Sequence, residues 1–472
     1  MNLTAKVILN REVTMSKTRI EKDSLGTMQV PTDALYGAQT ARAVENFPIS
    51  GQPLPRPLLY ALTLIKQQAA LVNAELGLLE ATRASAISQA AAEILKGMHD
   101  CQFPVDIYQT GSGTSSNMNA NEVIAHRASQ LLNHKSARPL HPNDEVNLGQ
   151  SSNDVFPSAI HIACAQQLQE KLFPALQQLE TQLTAKSAEF TSVIKIGRTH
   201  LQDATPITFG QVFSGYARQI KLAQERLACE STGLYELPLG GTAVGTGINT
   251  HAEFAARTIG RIATETRLPF REALNHFEAQ AARDALVAVS GSLKSCAVSL
   301  SKIANDIRLL GSGPRCGYGE LQLPAVQPGS SIMPGKVNPV MAESLIQVCA
   351  RVIGNDASIT LCGLGGYFEL NTMMPLMAAA MLESIELLSR AITLFGDRCL
   401  AGLKADHKRC AELVEQSLAL VTSLAPVIGY DRAADLAKQA YQEGKTIREL
   451  LTAEQTLPAE ELNRLLDPKQ MI

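Results

Sequence analysis

The densest group of reactive side chains lies in residues 329–339, which read GSSIMPGKVNP. Two hydroxyls, one ammonium and one amide occur there on a backbone that glycine and proline bend away from regular structure. Such a loop can hold Ser330, Lys336 and Asn338 in one small volume. The preceding residues 311–328 are also rich in glycine and proline, and long loops in compact domains are usually functional or disordered. We interpret this stretch as a lid over a bound molecule, with a plain surface turn as the alternative.

Two other stretches place hydroxyl and amide groups where an anion can bind. Residues 109–117 read QTGSGTSSN, and their hydroxyls on a glycine-rich backbone offer donors to a carboxylate or phosphate. Residues 150–154 read QSSND, a sequence typical of helix N-caps. A helix N-terminus also attracts anions, because its free N–H groups and its dipole favour negative charge. Capping and anion binding are compatible, and both interpretations stay open.

A single histidine, His200, lies in the segment GRTHLQDATP at 197–206. A lone histidine is more often structural than catalytic, but the neighbouring Thr199 and Asp203 favour an oriented acid–base group.

Residues 240–249, GGTAVGTGIN, resemble a dinucleotide-binding loop only superficially. No strand of buried apolar residues precedes them and no βαβ unit surrounds them, so we reject that interpretation.

Motifs for metal binding and covalent catalysis are missing from the sequence. It contains no Cys-x-x-Cys, His-Glu-x-x-His, Gly-x-x-x-x-Gly-Lys-Ser/Thr or Gly-x-Ser-x-Gly pattern. What remains is a set of hydroxyls, amides, histidines and a lysine, which suits the binding of a small polyanion. We therefore expect no metal and no organic cofactor.

The composition indicates a large globular protein of the cytoplasm. The chain has 472 residues, 45% of them hydrophobic, which predicts two or three domains with a sizeable core. The formal net charge of −3 gives no reason to expect a nucleic-acid partner. Nine cysteines, an odd number without paired spacing, indicate reduced thiols. No uninterrupted apolar run approaches about 18 residues and no secretory leader is recognisable, so we expect neither a transmembrane helix nor a membrane partner.

Apolar residues recur at alternating steps of three and four in the middle of the chain, as in helices that pack into a bundle. The seams consist of residues 172, 176, 179 and 183; 209, 213, 216, 220, 223 and 227; 286, 289, 293, 296, 300, 303, 307 and 310; and 381, 385, 388, 392, 395 and 399. They predict a mainly α-helical protein with a long central bundle. A helix that is apolar on more than one side also meets other subunits. We therefore expect an oligomer in which the seams at 286–310 and 381–399 are buried between subunits.

The chain is expected to divide into an N-terminal extension and three domains. The predicted boundaries are 1–16 for the extension, 17–150 for an N-terminal domain, 151–404 for the central helix-bundle domain and 405–472 for a small C-terminal helical domain. Within the domains, helical spacing and turn residues predict two helices in 57–98, loops and short helices in 99–158, and short helices in 407–472.

Three of these segments together resemble the fumarase/aspartase superfamily: TGSGTSSNMNANE at 110–122, GRTHLQDATP at 197–206 and GSSIMPGKVNP at 329–339. The third segment is similar to the signature of that superfamily, and the similarity extends over residues 18–472, most closely to class II fumarate hydratases. The resemblance implies a three-domain, mainly α-helical subunit whose central helix bundle forms the core of a homotetramer. It also implies active sites shared by three subunits and reversible hydration of fumarate to L-malate, a step of the tricarboxylic acid cycle.

The resemblance assigns roles to particular residues. Ser330 matches the catalytic base, and His200 matches a catalytic histidine held by the acidic Glu343. Lys336 matches a group that serves both catalysis and substrate binding. The other substrate-binding positions correspond to Ser112, Gly113, Thr114, Ser151, Ser152, Asn153, Thr199, Ser331, Val337 and Asn338. A second, peripheral anion site corresponds to Arg138, His141, Pro142, Asn143 and Asp144.

The implied chemistry is consistent with these residues. Removal of a proton beside a carboxylate creates an aci-carboxylate dianion, which preorganised donors must stabilise. Serine is a poor base at its normal pKa, so Ser330 needs an electropositive setting, which Lys336 and the N–H groups of the loop can supply. His200 then handles the leaving hydroxyl through a water.

Two alternatives stay open on the sequence alone. Leu148-Gly149 stands where many fumarases carry Lys-Ser, and residues 19–23 resemble aspartases as much as fumarases. Aspartate ammonia-lyase, which deaminates L-aspartate to fumarate, is therefore the second candidate activity. A non-catalytic helical scaffold is the other candidate, although the presence of Ser330, His200 and Lys336 argues against it.

Overall fold

The computed structural model describes residues 17–132, 138–455 and 457–472, and the expected extension at 1–16 lies outside them. The described chain is mainly helical. Its α-helices are α1 Ala38–Asn46, α2 Arg56–Glu75, α3 Ala81–Leu95, α4 Thr114–Leu132, α5 Ser152–Gln167, α6 Phe173–Glu189, α7 Phe209–Ser231, α8 Phe254–Thr266, α9 His276–Ala281, α10 Asp284–Leu310, α11 Val340–Gly363, α12 Met374–Phe395, α13 His407–Gln416, α14 Ala425–Ile428, α15 Tyr430–Glu443, α16 Ile447–Glu454 and α17 Ala459–Leu465.

The strands of the described residues pair only two at a time. They are β1 Thr18–Asp23, β2 Gly26–Pro31, β3 Ile194–Thr199, β4 Gln202–Thr208, β5 Glu236–Leu237, β6 Arg271–Glu272, β7 Leu321–Gln322, β8 Gly366–Tyr367, β9 Leu370–Asn371 and β10 Lys404–Ala405. Strands β5 and β6 pair in parallel, and the other pairs are antiparallel: β1 with β2, β3 with β4, β7 with β10 and β8 with β9. The mainly α-helical class predicted from the sequence is confirmed.

The chain folds into two compact units, each built from three separate segments. Unit 1 runs to Leu168 and includes Glu230–Ser290 and Asn355–Glu383. Unit 2 consists of Gln169–Cys229, Gly291–Gly354 and Ser384–Ile472. The three-domain boundaries at 150/151 and 404/405 stay a prediction.

In unit 1, helix α2 packs against α3, α4, α5 and α8. Pro57 stands in its first turn, where the missing N–H costs nothing, and Gly77 follows its end with φ +73°, the left-handed conformation that stops helices. The two helices predicted within 57–98 are therefore confirmed as α2 and α3.

The prediction of loops and short helices at 99–158 is wrong, because α4 is a helix of 19 residues. Its first two turns are rich in Ser and Asn, which have low intrinsic helix propensity. Tertiary hydrogen bonds use those side chains: Asn119 Nδ2 donates to the carbonyl of Gln102 over 3.0 Å, and Asn117 and Asn121 donate to Asn147 Oδ1 over 3.2 Å each. Long-range contacts thus outweigh local propensity at this helix.

The predicted seams coincide with long helices, but their partners differ from those expected. Leu293, Leu300 and Ile307 of α10 are fully buried within the single chain, as are the seam residues of α7 and α12. The prediction that the seams at 286–310 and 381–399 are buried between subunits is therefore wrong. The exposed apolar side chains of α10 lie elsewhere on the helix, at Val298 and Leu309.

Helix α10 also qualifies the expectation of no transmembrane segment. Among the described residues it alone is long and apolar enough to cross a membrane by length and composition. The sequence shows no uninterrupted apolar run there, because serines and two lysines, Lys294 and Lys302, break it. Half of its most apolar stretch is buried inside the protein, as is usual for a core helix.

The C-terminal part of unit 2 consists of the short helices α13–α17, as predicted for 407–472. Their buried residues, which include Val414, Leu436 and Leu450, form one apolar cluster that also contains Ile196 of β3. The β3–β4 hairpin is therefore packed onto the C-terminal helices. This packing fixes the base of the hairpin whose tip carries His200.

Candidate active site

Hydroxyl groups from two helix N-termini meet in unit 1. Ser112 Oγ lies 2.7 Å from Thr114 Oγ1, and Thr114 Oγ1 lies 2.8 Å from Ser152 Oγ. Thr114 begins α4 and Ser152 begins α5, with Ser151 as the N-cap of α5. We call Ser112, Thr114, Ser151 and Ser152 the hydroxyl cluster. Two helix dipoles and several hydroxyl donors converge there, which makes the cluster suitable for a carboxylate.

Glycine is required where the chain turns into α4. Gly113 has φ +72°, and a Cβ at this position would lie 2.3 Å from Cδ2 of Phe156. Any larger residue would push α4 away from α5 and separate the hydroxyls. Gly113, expected among the substrate-binding positions, thus acts on the cluster through the backbone.

The start of α5 is fixed by a capping box. Ser151 Oγ accepts the N–H of Asn153 over 3.2 Å, and Asp154 Oδ1 accepts the N–H of Ser151 over 2.9 Å. The capping interpretation of residues 150–154 is therefore confirmed. Asn153 Nδ2 donates outward to the carbonyl of Ala243 over 2.9 Å.

The glycine-rich segment 240–249 is a structural support for α5. Asp154 Oδ2 accepts the N–H groups of Gly240 and Thr242 over 2.9 and 3.0 Å. Asp154 is fully buried, and burial raises the pKa of its carboxyl, while the backbone donors and Lys66 oppose that rise. The segment thus binds a carboxylate of its own chain.

His200 and Leu201 form the two-residue turn of the β3–β4 hairpin in unit 2. Their φ angles are +56° and +60°, the left-handed region that such a turn demands at both positions. Asn-Gly is the usual choice there, and residues with larger side chains are strained. The strain persists at the position predicted to be catalytic, and Thr199 is the last strand residue before it.

A buried ion pair anchors the hairpin below its tip. Arg198 Nη1 donates to Glu320 Oε2 over 2.6 Å, and the Glu320 carboxylate is fully buried. The guanidinium carbon of Arg198 also lies 4.4 Å from the ring centroid of Tyr318. Arg198 therefore joins the His200 turn to the chain that leads into residues 329–339.

Residues 329–339, which we call the signature loop, close on themselves. The N–H of Gly329 donates to the carbonyl of Lys336 over 2.8 Å, and Asn338 Nδ2 donates to the carbonyl of Gly329 over 2.6 Å. A Cβ on Gly329 would lie 2.5 Å from the carbonyl oxygen of Lys336, so only glycine permits this closure. Ser330, Lys336 and Asn338 are thereby held in one small loop, as the sequence predicted.

Ser330 has a special electrostatic setting within the signature loop. Its Oγ accepts the backbone N–H groups of Ile332 and Met333 over 3.2 and 2.9 Å. N–H donors directed at an oxygen favour its anionic form, because they stabilise negative charge on it. This geometry addresses the requirement that a serine base needs an electropositive environment.

Most of the other signature-loop residues face outward from the single chain. Ser331, Lys336 and Val337 are exposed, and Glu343 lies half-buried in the first turn of α11. Within the part of unit 2 that the structure describes, His200 and Glu343 share neither a hydrogen bond nor an ion pair. The pairing expected for these two residues is therefore not made within one chain.

The residues expected to form a second anion site lie around a short π-helix, Pro142–Val146. Arg138 Nη1 is 3.2 Å from Glu145 Oε2, and His141 Nδ1 is 3.2 Å from Asp144 Oδ2. His141, Pro142 and Asn143 line a cavity of about 780 Å³ that also contains acidic side chains. Within one chain, both basic groups are thus already next to carboxylates.

A buried polar group that sequence reasoning missed lies behind the hydroxyl cluster. Lys66 of α2 is fully buried and donates from Nζ to Asn147 Oδ1 over 2.7 Å. Asn117 and Asn121, one helical turn apart on α4, donate to the same oxygen. The available signal was the spacing of these two asparagines in TGSGTSSNMNANE, which places both on one face of a helix.

The fold and the site agree with what comparisons with known proteins find. Residues 26–354 match the protein family described as Lyase, and residues 420–472 match the family described as Fumarase C C-terminus. A solved structure of class II fumarase from Schistosoma mansoni superposes with a TM-score of 0.93 at 41% identity, covering 96% of this chain and 99% of that chain. The architecture is therefore that of a helical lyase of the fumarase class.

Two curated relatives narrow the assignment. The class II fumarate hydratase of Methylorubrum extorquens is 52% identical over 458 residues, which are 97% of each chain. Fumarate hydratase 1, mitochondrial, of Arabidopsis thaliana is 51% identical over 457 residues, 96% of this chain and 93% of the relative. The chain belongs to the class II fumarate hydratase family. Its activity is the reversible hydration of fumarate to L-malate.

Proposed function

We propose that hydration and dehydration proceed by acid–base catalysis with Ser330 as the base and His200 as the proton donor through a water. The observation that carries this assignment is the pair of N–H groups from Ile332 and Met333 directed at Ser330 Oγ. They stabilise a serine alkoxide, the form able to accept a proton from carbon.

In the direction from L-malate to fumarate, the base takes a proton from the carbon beside one carboxylate. The electron pair moves into that carboxylate and gives an aci-carboxylate dianion. The hydroxyl on the neighbouring carbon then leaves from the opposite face, and a water oriented by His200 supplies its proton. The double bond of fumarate forms as the dianion collapses, and hydration is the reverse sequence.

The two substrate carboxylates require fixed donors, which come from two different groups of residues. We assign one carboxylate to the hydroxyl cluster with Gly113 and Asn153. The other carboxylate, on which the aci-form develops, we assign to Thr199, Lys336 and Asn338, with the backbone of Ser331 and Val337. The ammonium of Lys336 opposes the negative charge that grows in the transition state.

Steady-state kinetics of three variants test the roles. Ser330→Ala is expected to lower kcat by about 10²–10⁴-fold with little change in the inhibition constant of succinate, because other groups bind the carboxylates. Lys336→Ala is expected to weaken inhibitor binding and turnover together, since its charge serves the ground state and the transition state. His200→Asn should fall between them in kcat, because water can replace part of a proton relay.

The matched control for Lys336 is Lys438→Ala, which removes another exposed lysine side chain. It should leave both constants unchanged. Near wild-type turnover of Ser330→Ala would mean that the signature loop acts only as a lid. His200 would then be the candidate for the base. L-Aspartate serves as a second substrate for each variant and should give no product.

We further propose a homotetramer in which each active site draws residues from three subunits. The support is that His200 and Glu343, assigned to one site, are not paired within a chain, while Ser331 and Lys336 are exposed. Sedimentation should give about four chains per particle. Ser330→Ala chains have low kcat and Thr114→Val chains have raised KM. Mixing them, followed by subunit exchange, should produce some sites with wild-type kcat and KM if the two residues serve one site from different chains. An active monomer would contradict the shared site.

Arg138, His141, Pro142, Asn143 and Asp144 remain our proposal for a peripheral anion site outside the reaction. A His141→Asn variant should keep kcat and KM while losing any second, weaker dicarboxylate binding event in calorimetry.

We also propose a cytoplasmic location, although the plant relative is named as mitochondrial. Fractionation of the native cells checks it.

A further inference from the structure

Lys66 is a buried cation that the proposed mechanism does not use. It lies in the middle of α2 with no exposed surface, and its ammonium donates to Asn147 Oδ1 over 2.7 Å. A buried lysine without a close carboxylate is costly, because burial disfavours the charged form. Burial accordingly lowers the pKa of Lys66 to about 7, although Asp154 acts in the opposite direction. Because burial of the Lys66 ammonium costs free energy, we looked for a function that this side chain serves.

The side chain of Asn147 connects the buried Lys66 ammonium of α2 to α4 and to the start of α5 by hydrogen bonds. Its Oδ1 accepts from Lys66 of α2 and from Asn117 and Asn121 of α4, the last two over 3.2 Å each. Its Nδ2 donates to the carbonyl of Gln150 over 3.0 Å, immediately before the N-cap of α5. A single amide thus ties α2 to the N-terminal ends of both helices that carry the hydroxyl cluster.

Other charged groups on the elements packed against α2 are engaged elsewhere. Arg83 of α3 pairs with Glu145 of the π-helix, and Glu122 of α4 accepts the N–H groups that begin α1. Arg261 of α8 binds Gln68 and Glu75, two other residues of α2. Asp154 of α5 is the charge that acts on Lys66.

We propose that Lys66 is a positioning residue for the substrate carboxylate, which acts through Asn147 by holding the first turns of α4 and α5 together. The inference rests on the proposed role of the hydroxyl cluster in substrate binding. The Thr114–Ser152 contact of 2.8 Å requires the two helices in fixed register. The ammonium also adds positive charge behind two helix N-termini, where a bound carboxylate benefits from it.

Lys66→Met and Asn147→Ala test the proposal, because the first removes the charge at similar volume and the second removes the link. Both should raise KM for fumarate and the inhibition constant of succinate by about tenfold or more, as expected for loss of a hydrogen bond to a charged group, with a smaller effect on kcat. Lys186→Met is the matched control, since Lys186 is also buried but binds the carbonyl of Leu403 and the carboxylate of Glu189 in unit 2. It should change stability and leave KM unchanged.

The pH profile separates positioning from a merely structural role. The ratio of KM between Lys66→Met and the wild type should be largest below pH 7, where Lys66 is charged, and should shrink as the pH rises through its pKa of about 7. Lys66→Met with wild-type KM across this range would overturn the proposal. So would a rise in KM that is independent of pH and matches that of Lys186→Met.

Thr114→Val separates this inference from the function on which it rests. Unchanged KM in Thr114→Val would mean that the hydroxyl cluster does not bind substrate, and the proposed site would fail. Raised KM in Thr114→Val together with unchanged KM in Lys66→Met would support the hydroxyl cluster as the substrate-binding site. It would contradict only the positioning role of Lys66. If Lys66→Met does not fold, Asn147→Ala decides, because unchanged KM in that variant contradicts the link.

Discussion

Thr114 Oγ1 and Ser152 Oγ lie 2.8 Å apart, each in the first turn of its own helix. Thr114 Oγ1 also lies 2.7 Å from Ser112 Oγ, and Ser152 Oγ lies 3.4 Å from Asn153 Oδ1, so the hydroxyls form one hydrogen-bonded chain. Because both helices direct their N-termini to this point, an anion there meets two helix dipoles. We therefore propose this contact as the binding position of one substrate carboxylate.

Thr114→Val is expected to raise KM for both substrates by about 10–100-fold, since a hydrogen bond to a charged group contributes about 1.5–3 kcal/mol. Valine keeps the shape of threonine, so the melting temperature should change little. Thr114→Ser keeps the hydroxyl and should retain most of the affinity. Equal KM values for the valine and serine variants would show that the Thr114 hydroxyl does not bind the substrate.

Arg198→Met is expected to destabilise the protein by about 3–5 kcal/mol, because it leaves Glu320 as a buried carboxylate without its principal partner. The hairpin tip should also lose its fixed position, so kcat should fall through misplacement of His200. Denaturant unfolding and steady-state kinetics measure the two effects.

The double variant Arg198→Met/Glu320→Gln is the control for that pair. It removes the unpaired carboxylate, but the buried Lys195, whose Nζ lies 3.9 Å from Glu320 Oε1, loses that carboxylate as well, so part of the stability should be recovered. Activity should stay low, since the contact between the hairpin and the chain that leads into the signature loop is still absent. Full recovery of activity would show that Arg198 acts only on stability.

Leu201→Gly is expected to stabilise the hairpin by about 1 kcal/mol, because Leu201 holds φ +60° at a steric cost that glycine avoids. The side chain is 71% exposed, so little packing is lost. Leu201→Ala keeps a Cβ and hence the strain, and it should not be stabilising. Thermal unfolding of the two variants compares them directly, and equal melting temperatures would contradict strain at the turn.

The lowered pKa of Lys66 predicts that the stability of the folded protein depends on pH and increases as the pH rises. Its pKa is lowered from 10.5 to about 7 in the folded protein, so between those values the unfolded chain holds a proton that the folded chain has lost. The free energy of unfolding should therefore rise with pH over this window, by up to about 1.4 kcal/mol per pH unit from this group. Lys66→Met should lack this contribution and be at least as stable as the wild type at pH 7. A steeper slope in the variant would contradict the depressed pKa.

The sequence by itself determined most of the helices and the identity of the site segments. Apolar steps of three and four are a local property of a helix, so the seams of α7, α10 and α12 could be recognised without tertiary structure. The signature loop was predictable for the same reason, since glycine and proline restrict the backbone locally and bring Ser330, Lys336 and Asn338 together.

Only the tertiary structure decided which of these elements meet. Helix α4 forms although its first turns are rich in Ser and Asn, because the asparagines find partners in Gln102 and Asn147. The Lys66–Asn147 and Arg198–Glu320 contacts join residues 81 and 122 positions apart, and no local pattern encodes such a distance. The seams are likewise buried within the chain and not between chains, because periodicity identifies an apolar face but not its partner.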